Sequence, residues 1–583
     1  MNIFKTTYQL SIALIIALCA SINAHALSAD SYATESVLAK GNWVKVKVSG
    51  TGFQSITPAE IKDWGFGNSD KVKVFGYGGA PISLTLDEKQ IDDLIQVPVI
   101  NHNGYIHFYA QGVTTWGADN MLDYIQYQHP YATEAYYFVT DRDDIEQLTM
   151  SEVDATPREA RNVITTYTAI NIHEKELVSP IESGNLLLGE DFRFTSSREF
   201  EINLPGYVDN TPVKILTAFA AKSSGLSKLS FAANGEALEY SPNDDIAPIA
   251  SSGSTLLNIA KTVKTVALVN DDLRFKINFA YTGTLTLANL DYITVNYTAK
   301  ILPTNFHTDR NASCDDVISI NDGTVDDKMI VCDVTTPHAP VIMKGVLNGN
   351  DYRFSPIVNG HRRYAVKNTA WVSPTVTLVE RINNQSIHSE PTPDMIIITP
   401  TQFKQQAQRI ADLHLMLDSM RVLVVEQDKV FNEFSSGTPD FMAYRKMAKM
   451  FYDRGADESG HRLGYILLFG RGTYDNRKLS STVKALKYPM LLTWQTDNGS
   501  SEIDSYSTDD ILGFLEDGSG KSLHTETLSI AVGRMPVKSV TEAKNVVDKL
   551  YAYTTKQDFG AWKNNVMVIA DDMNNAVHME QAD

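Results

Sequence analysis

Residues able to do chemistry are sparse in this 583-residue chain, and several stand at the ends of apolar runs. Residues 566–570 (VMVIA) read as a buried strand and lead into Asp571, Asp572, Met573, Asn574 and Asn575, with His578 three positions further on. An acid at a strand end can accept a histidine ring N–H and so hold that ring in the tautomer a general base needs. The same oxygens could ligate calcium, although their spacing is not that of an EF-hand. For His578 a helix-surface role stands beside any catalytic one. Upstream, GRGTYD (470–475) offers Gly-x-Gly after a strand. Asp475 stands where a dinucleotide fingerprint needs its third glycine, which argues against a Rossmann site. A P-loop, a G-x-S-x-G elbow, an H-E-x-x-H motif and a Cys/His cluster at zinc spacing are all absent. His414 falls on the apolar face of a helical pattern, where packing outweighs catalysis. His461 and His524 complete the histidines of this part of the chain.

The N-terminus points to an exported protein. Lys5 precedes an apolar run, and Ala24-His25-Ala26 follows it as an A-x-A cleavage site, the pattern of a secretory signal peptide cut after Ala26. Cys19 leaves with that segment. Cys314 and Cys332 remain and flank NDGTVDD, which reads as a hairpin turn. An oxidising compartment would then allow a disulfide between them. The net charge of −19 and the lack of a basic stripe exclude nucleic acid as a partner.

The elements that must position these residues change along the chain. Up to residue 150 the pattern is short and alternating, as in WVKVKVSG and EAYYFVTD, and predicts a β domain over 27–150. Strands at sandwich spacing fill 163–300, and a β-rich connecting region with the cysteine pair occupies 301–390. From 391 to 583 continuous apolar strands alternate with helices. That grammar predicts an α/β domain with a largely parallel sheet. Its expected strands are 395–399, 422–426, 466–469, 529–532 and 566–570, with sites at their carboxyl ends.

Long stretches resemble the gingipain-type cysteine peptidases. They include NNQSIHSEPTPDMIIITPTQF (383–403), VFNEFSSGTPDFMAYRKMAKMFYDR (430–454), YILLFGRGTYDNR (465–477) and VIADDMNNAVHMEQAD (568–583). The resemblance is strongest to the branch that serves as the cell-surface sortase of the type IX secretion system of Bacteroidetes. It implies a multidomain protein: all-β, sandwich-like N-terminal domains followed by a caspase-like α/β domain, here its first half. It further implies a cysteine endopeptidase that removes C-terminal sorting domains from exported cargo and passes the acyl group to lipopolysaccharide. An outer-membrane tethering partner is part of that picture, and no cofactor is. The family's catalytic His and Cys follow later strands, beyond Asp583, so this chain alone is expected to be inactive. Asp571 or Asp572 matches the acid that assists the histidine. Asn575 matches the acid that holds a substrate arginine, and its amide cannot neutralise a guanidinium. The alternative is a non-catalytic surface binding or assembly protein on the same scaffold.

Overall fold

The computed structural model describes residues 32–583 except 87–89, 158–160, 250–253, 310, 369–372, 556–559 and 573–574. The signal segment and Cys19 lie outside the described residues. The first sheet is built on Trp43–Val48, whose alternating Val44 and Val46 are fully buried. It pairs antiparallel with Ala135–Thr140 on one side and with Thr377–Ile382 on the other. The segment just before the α/β region therefore returns to complete the first β domain.

The sandwich follows its period-two pattern. Asp272–Tyr281 alternates exposed and buried residues along most of its length, as half-buried strands do. One sheet holds Thr166–Glu174, Leu285–Lys300, Pro212–Ser223 and Asn258–Ala267; the other holds Ser197–Asn203, Asp272–Tyr281, Ser227–Ala233 and Glu236–Ala237. Phe219, Phe231, Phe275 and Phe279 fill the core between them.

The expected Cys314–Cys332 disulfide is not formed; both thiols are free. NDGTVDD is not a hairpin. Val317–Ile320 pairs with Asp351–Phe354 in one sheet, whereas Met329–Asp333 pairs with Arg363–Asn368 in another. Cys332 is buried with its Sγ 3.5 Å from Met150 Sδ, and Cys314 is exposed.

Within the α/β region, labelled from its own start, the elements are β1 (Met395–Thr399), α1 (Lys404–Asp418), β2 (Val422–Glu426), α2 (Gln427–Phe434), α3 (Phe441–Arg454), β3 (Tyr465–Phe469), β4 (Ala531–Met535) and α4 (Val540–Thr555). The sheet runs β2-β1-β3-β4 with every pairing parallel. Such sheets need cover on both faces. Ile396 and Ile398 face a core with Phe431 and Met447, from α2 and α3, while Ile397 faces Ala407 and Val547, from α1 and α4. The fifth expected strand is not one. Residues 566–570 carry no strand structure, and Val566, Met567 and Ile569 are at least 80% exposed. An apolar run becomes a strand only when an edge accepts its N–H and C=O groups, and here β4 keeps its outer edge unpaired by this segment. The fourth strand also starts later than expected, at Ala531.

The first β domain and the α/β region are joined by buried charge. His388 donates through Nδ1 to Glu433 Oε2 at 2.6 Å, and its Nε2 lies 3.1 Å from Asp92 Oδ1, with its side chain wholly buried. Burial alone would push the imidazole pKa down. The hydrogen bonds and negative charge of Asp92 and Glu433 outweigh burial and hold it up at about 9, from an ordinary 6.5. A raised histidine pKa stabilises the fold fully below pH 6.5 and loses that contribution as pH rises through 9. Unfolding free energy should thus fall by roughly 3 kcal/mol between those limits. Urea titrations across that window test it: the His388→Gln variant should show a flatter profile, and an equally steep one would contradict the assignment.

Candidate active site

The carboxyl ends of the parallel strands carry the groups that the sequence singled out. After β3 the chain turns through Gly470–Asp475, pinned to the end of β4 by Gly470 N–H donating to Met535 O at 3.0 Å and Arg471 N–H to Val537 O at 3.0 Å. Gly472 is glycine because a Cβ there would collide with the Thr493 methyl. Its role is close backbone packing, in keeping with the missing fingerprint. Asp475 is buried and accepts from Ser480 N at 2.7 Å.

Arg534, in β4, ties this edge together. Its Nε and Nη2 donate to Asp509 Oδ2 and Oδ1 at 2.7 and 2.8 Å, a bidentate pair. The same guanidinium reaches Gly470 O and Leu492 O. Arg477 reaches out of the region and pairs with Glu176 of the sandwich. The sequence marks GRGTYD as a strand end but cannot supply the partners of Arg534 and Arg477, since Asp509 and Glu176 lie in other elements.

Between these ends and the first β domain lies a cavity of about 270 Å³. Gln427, Asp428, Asn476 and Lys478 line one side and Tyr131, Glu134 and Tyr136 the other. Thus the candidate cleft has one wall from each domain.

Asp571 and Asp572 are exposed, and the segment before them is unpaired, so they are not on a sheet strand. Asn575 is exposed at φ +60°, and His578 is exposed in the short helix Val577–Ala582. The loop proposed for calcium includes residues 573–574, outside the described residues. Among the described residues no group of three or more His, Cys, Asp or Glu is placed to hold a metal ion. His414 is half-buried, as its place on the apolar helix face predicts, and its Nδ1 lies 2.9 Å from Asp418 Oδ2, one turn on. His461 pairs with Asp394 at 2.7 Å, beside the amino end of β1 and away from the cleft. His524 is exposed in a short 3-10 turn.

A family model for peptidase family C25 matches residues 388–583. That part of the chain is similar to peptidase family C25, the gingipain family. The match covers all four strands of the parallel sheet, and the fold is that of a caspase-like C25 domain behind β domains. The crystal structure of dimeric latent PorU from Porphyromonas gingivalis superposes at a TM-score of 0.82 and 27% identity, covering 93% of this chain and 52% of that one. This chain therefore spans about half the length of that structure. A family 35 carbohydrate-binding module from Clostridium thermocellum aligns at 12% identity over 22% of this chain and 95% of its own, with a TM-score of only 0.14. No curated protein matches. The C25 region thus arrives with its β domains in the PorU arrangement.

Proposed function

We propose that this chain is part of a gingipain-type cysteine endopeptidase acting as a sortase. It removes C-terminal sorting domains from type IX secretion cargo at the cell surface, after export through the signal peptide. The observation that carries this reading is the match to PorU over 93% of the chain, β domains included. A peptidase fold alone would support only proteolysis; the shared domain set supports the sortase role. In such a reaction a thiolate attacks the scissile carbonyl, the C–N bond breaks and the amine leaves with a proton. The thioester then goes to water or to an amine of lipopolysaccharide. A thiolate nucleophile and its histidine complete the site, and Asp571 or Asp572 orients that histidine. Asn575 contacts the substrate side chain by hydrogen bonding. An outer-membrane partner holds the enzyme in place, and calcium is a candidate structural ion at 571–575.

A strain lacking the gene tests the reading. Cargo should accumulate with its C-terminal domain still attached, and a restored gene should return it to the cleaved form. Normally processed cargo in the null strain would refute the sortase assignment.

A further inference from the structure

The two-walled cleft is more than a gap between domains. Most of its polar side chains are already committed. Glu134 accepts from Lys47 Nζ at 2.7 Å and from Tyr136 OH at 2.9 Å. Gln427 donates to Met490 O at 3.0 Å and accepts from Tyr444 OH at 2.8 Å. Asn476 exchanges hydrogen bonds with both backbone groups of Thr493. Arg477 is held by Glu176. These groups shape the walls but have little left to offer a ligand.

Two charges remain. Asp428, in the first turn of α2, and Lys478, after the GRGTYD turn, are both exposed and line the cavity. Among the described residues neither side chain has a hydrogen-bond or ion-pair partner, although burial raises the Asp428 carboxyl pKa and the positive charges of Lys45 and Lys478 partly offset that from a distance. Their plain alternative roles are an acid favoured near a helix N-terminus and a solvated lysine. Facing one cavity at the carboxyl edge of the sheet, they also present an anion and a cation at separate points.

The walls are fixed relative to each other. Ser436, after α2, donates to Tyr136 O at 3.2 Å and accepts from Tyr77 N–H at 3.1 Å, while Asp440 accepts from Ile82 N–H at 2.9 Å. The His388 clasp holds the same junction. The cleft is therefore a standing groove, and its volume lies below the ~300–1,000 Å³ typical of drug-sized ligands. It has room for one or two side chains.

We infer that this groove, with the first β domain as one wall, takes an extended polypeptide segment, reading a basic side chain with Asp428 and an acidic one with Lys478. The inference rests on the peptidase reading for the class of ligand and adds a substrate-selecting role for Asp428 and Lys478. Charge-assisted hydrogen bonds of this kind are directional enough to select between side chains.

The test uses random octapeptides displayed on beads, incubated with the whole chain, and reads residue frequencies in the captured set. Lys or Arg and Asp or Glu should be enriched together at a fixed spacing. Asp428→Asn should abolish the basic enrichment and Lys478→Gln the acidic one, each lowering affinity for a captured peptide about tenfold. The double reversal Asp428→Lys with Lys478→Asp should select the opposite polarity. Capture without charge preference, preferences unchanged in the variants, or no capture at all would each overturn the assignment. None of these bears on cargo processing in the null strain, so failure here and failure of the sortase reading are separable.

Discussion

Replacing Glu433 with alanine should destabilise the α/β region by about 3–5 kcal/mol, the range for removing one partner of a buried ion pair. Glu433 lies in α2 with its side chain fully buried. Its oxygens accept from Ile387 N–H at 2.8 and 2.9 Å, Gln385 Nε2 at 2.9 Å and His388 Nδ1 at 2.6 Å. Alanine would leave a buried cation facing Asp92 alone and strand the Ile387 amide and the Gln385 carboxamide without that acceptor. Each is costly because water cannot replace the lost oxygen. Glu433→Gln keeps an acceptor oxygen but removes the charge, so it should fall between wild type and alanine, with the His388 pKa moving back down. Urea unfolding followed by the helical far-UV signal, most of which comes from the α/β region, gives the number. A loss below about 1 kcal/mol for Glu433→Ala would mean that the clasp contributes little beyond packing.

The second large effect is catalytic. This 583-residue chain should turn over a labelled cargo C-terminal domain at background rate. Removing the nucleophile of a peptidase costs on the order of 10⁶ in kcat. Its described thiols are poorly suited to replace one. Burial, aided by Asp333, pushes the Cys332 thiol far above its ordinary value, and burial and Asp315 raise that of Cys314. The thiolate is the nucleophilic form, so both shifts reduce reactivity. Both cysteines also lie in the β part, away from the carboxyl edge of the parallel sheet. Turnover by this chain that is abolished by alkylation and by Cys314→Ser would place a nucleophile in the β region and remove the basis for the gingipain assignment of roles.

What the sequence made legible follows from periodicity. WVKVKV and the sandwich strands alternate, and three of the four strands of the parallel sheet are nearly continuous apolar runs between helices, so class and order could be read. The failures have a common cause, which is that pairing is not local. NDGTVDD has turn chemistry, yet its flanks prefer other strands, and the disulfide expected from them does not form. VMVIA has strand composition, but composition alone supplies no neighbour. Thr377–Ile382 was assigned to a connecting region and belongs to the sheet of Trp43–Val48. The site was legible only as a set of strand ends. Glu433 and His388 sit in stretches that carried the family resemblance, yet nothing in their spacing showed that they meet Asp92, and the Arg534–Asp509 pair was invisible for the same reason. The cleft wall at Glu134 and Tyr136 needed the two domains in contact.

Sortase activity is our proposal for the protein that contains this chain. Its most direct test is cleavage of a labelled cargo protein by the protein expressed from the longest reading frame that contains this sequence, with an amine acceptor present. The C-terminal domain should be released and the remaining cargo joined to the amine, and thiol alkylation should abolish both. A folded protein that binds cargo but leaves it intact, with or without alkylation, would contradict the account and favour a non-catalytic scaffold.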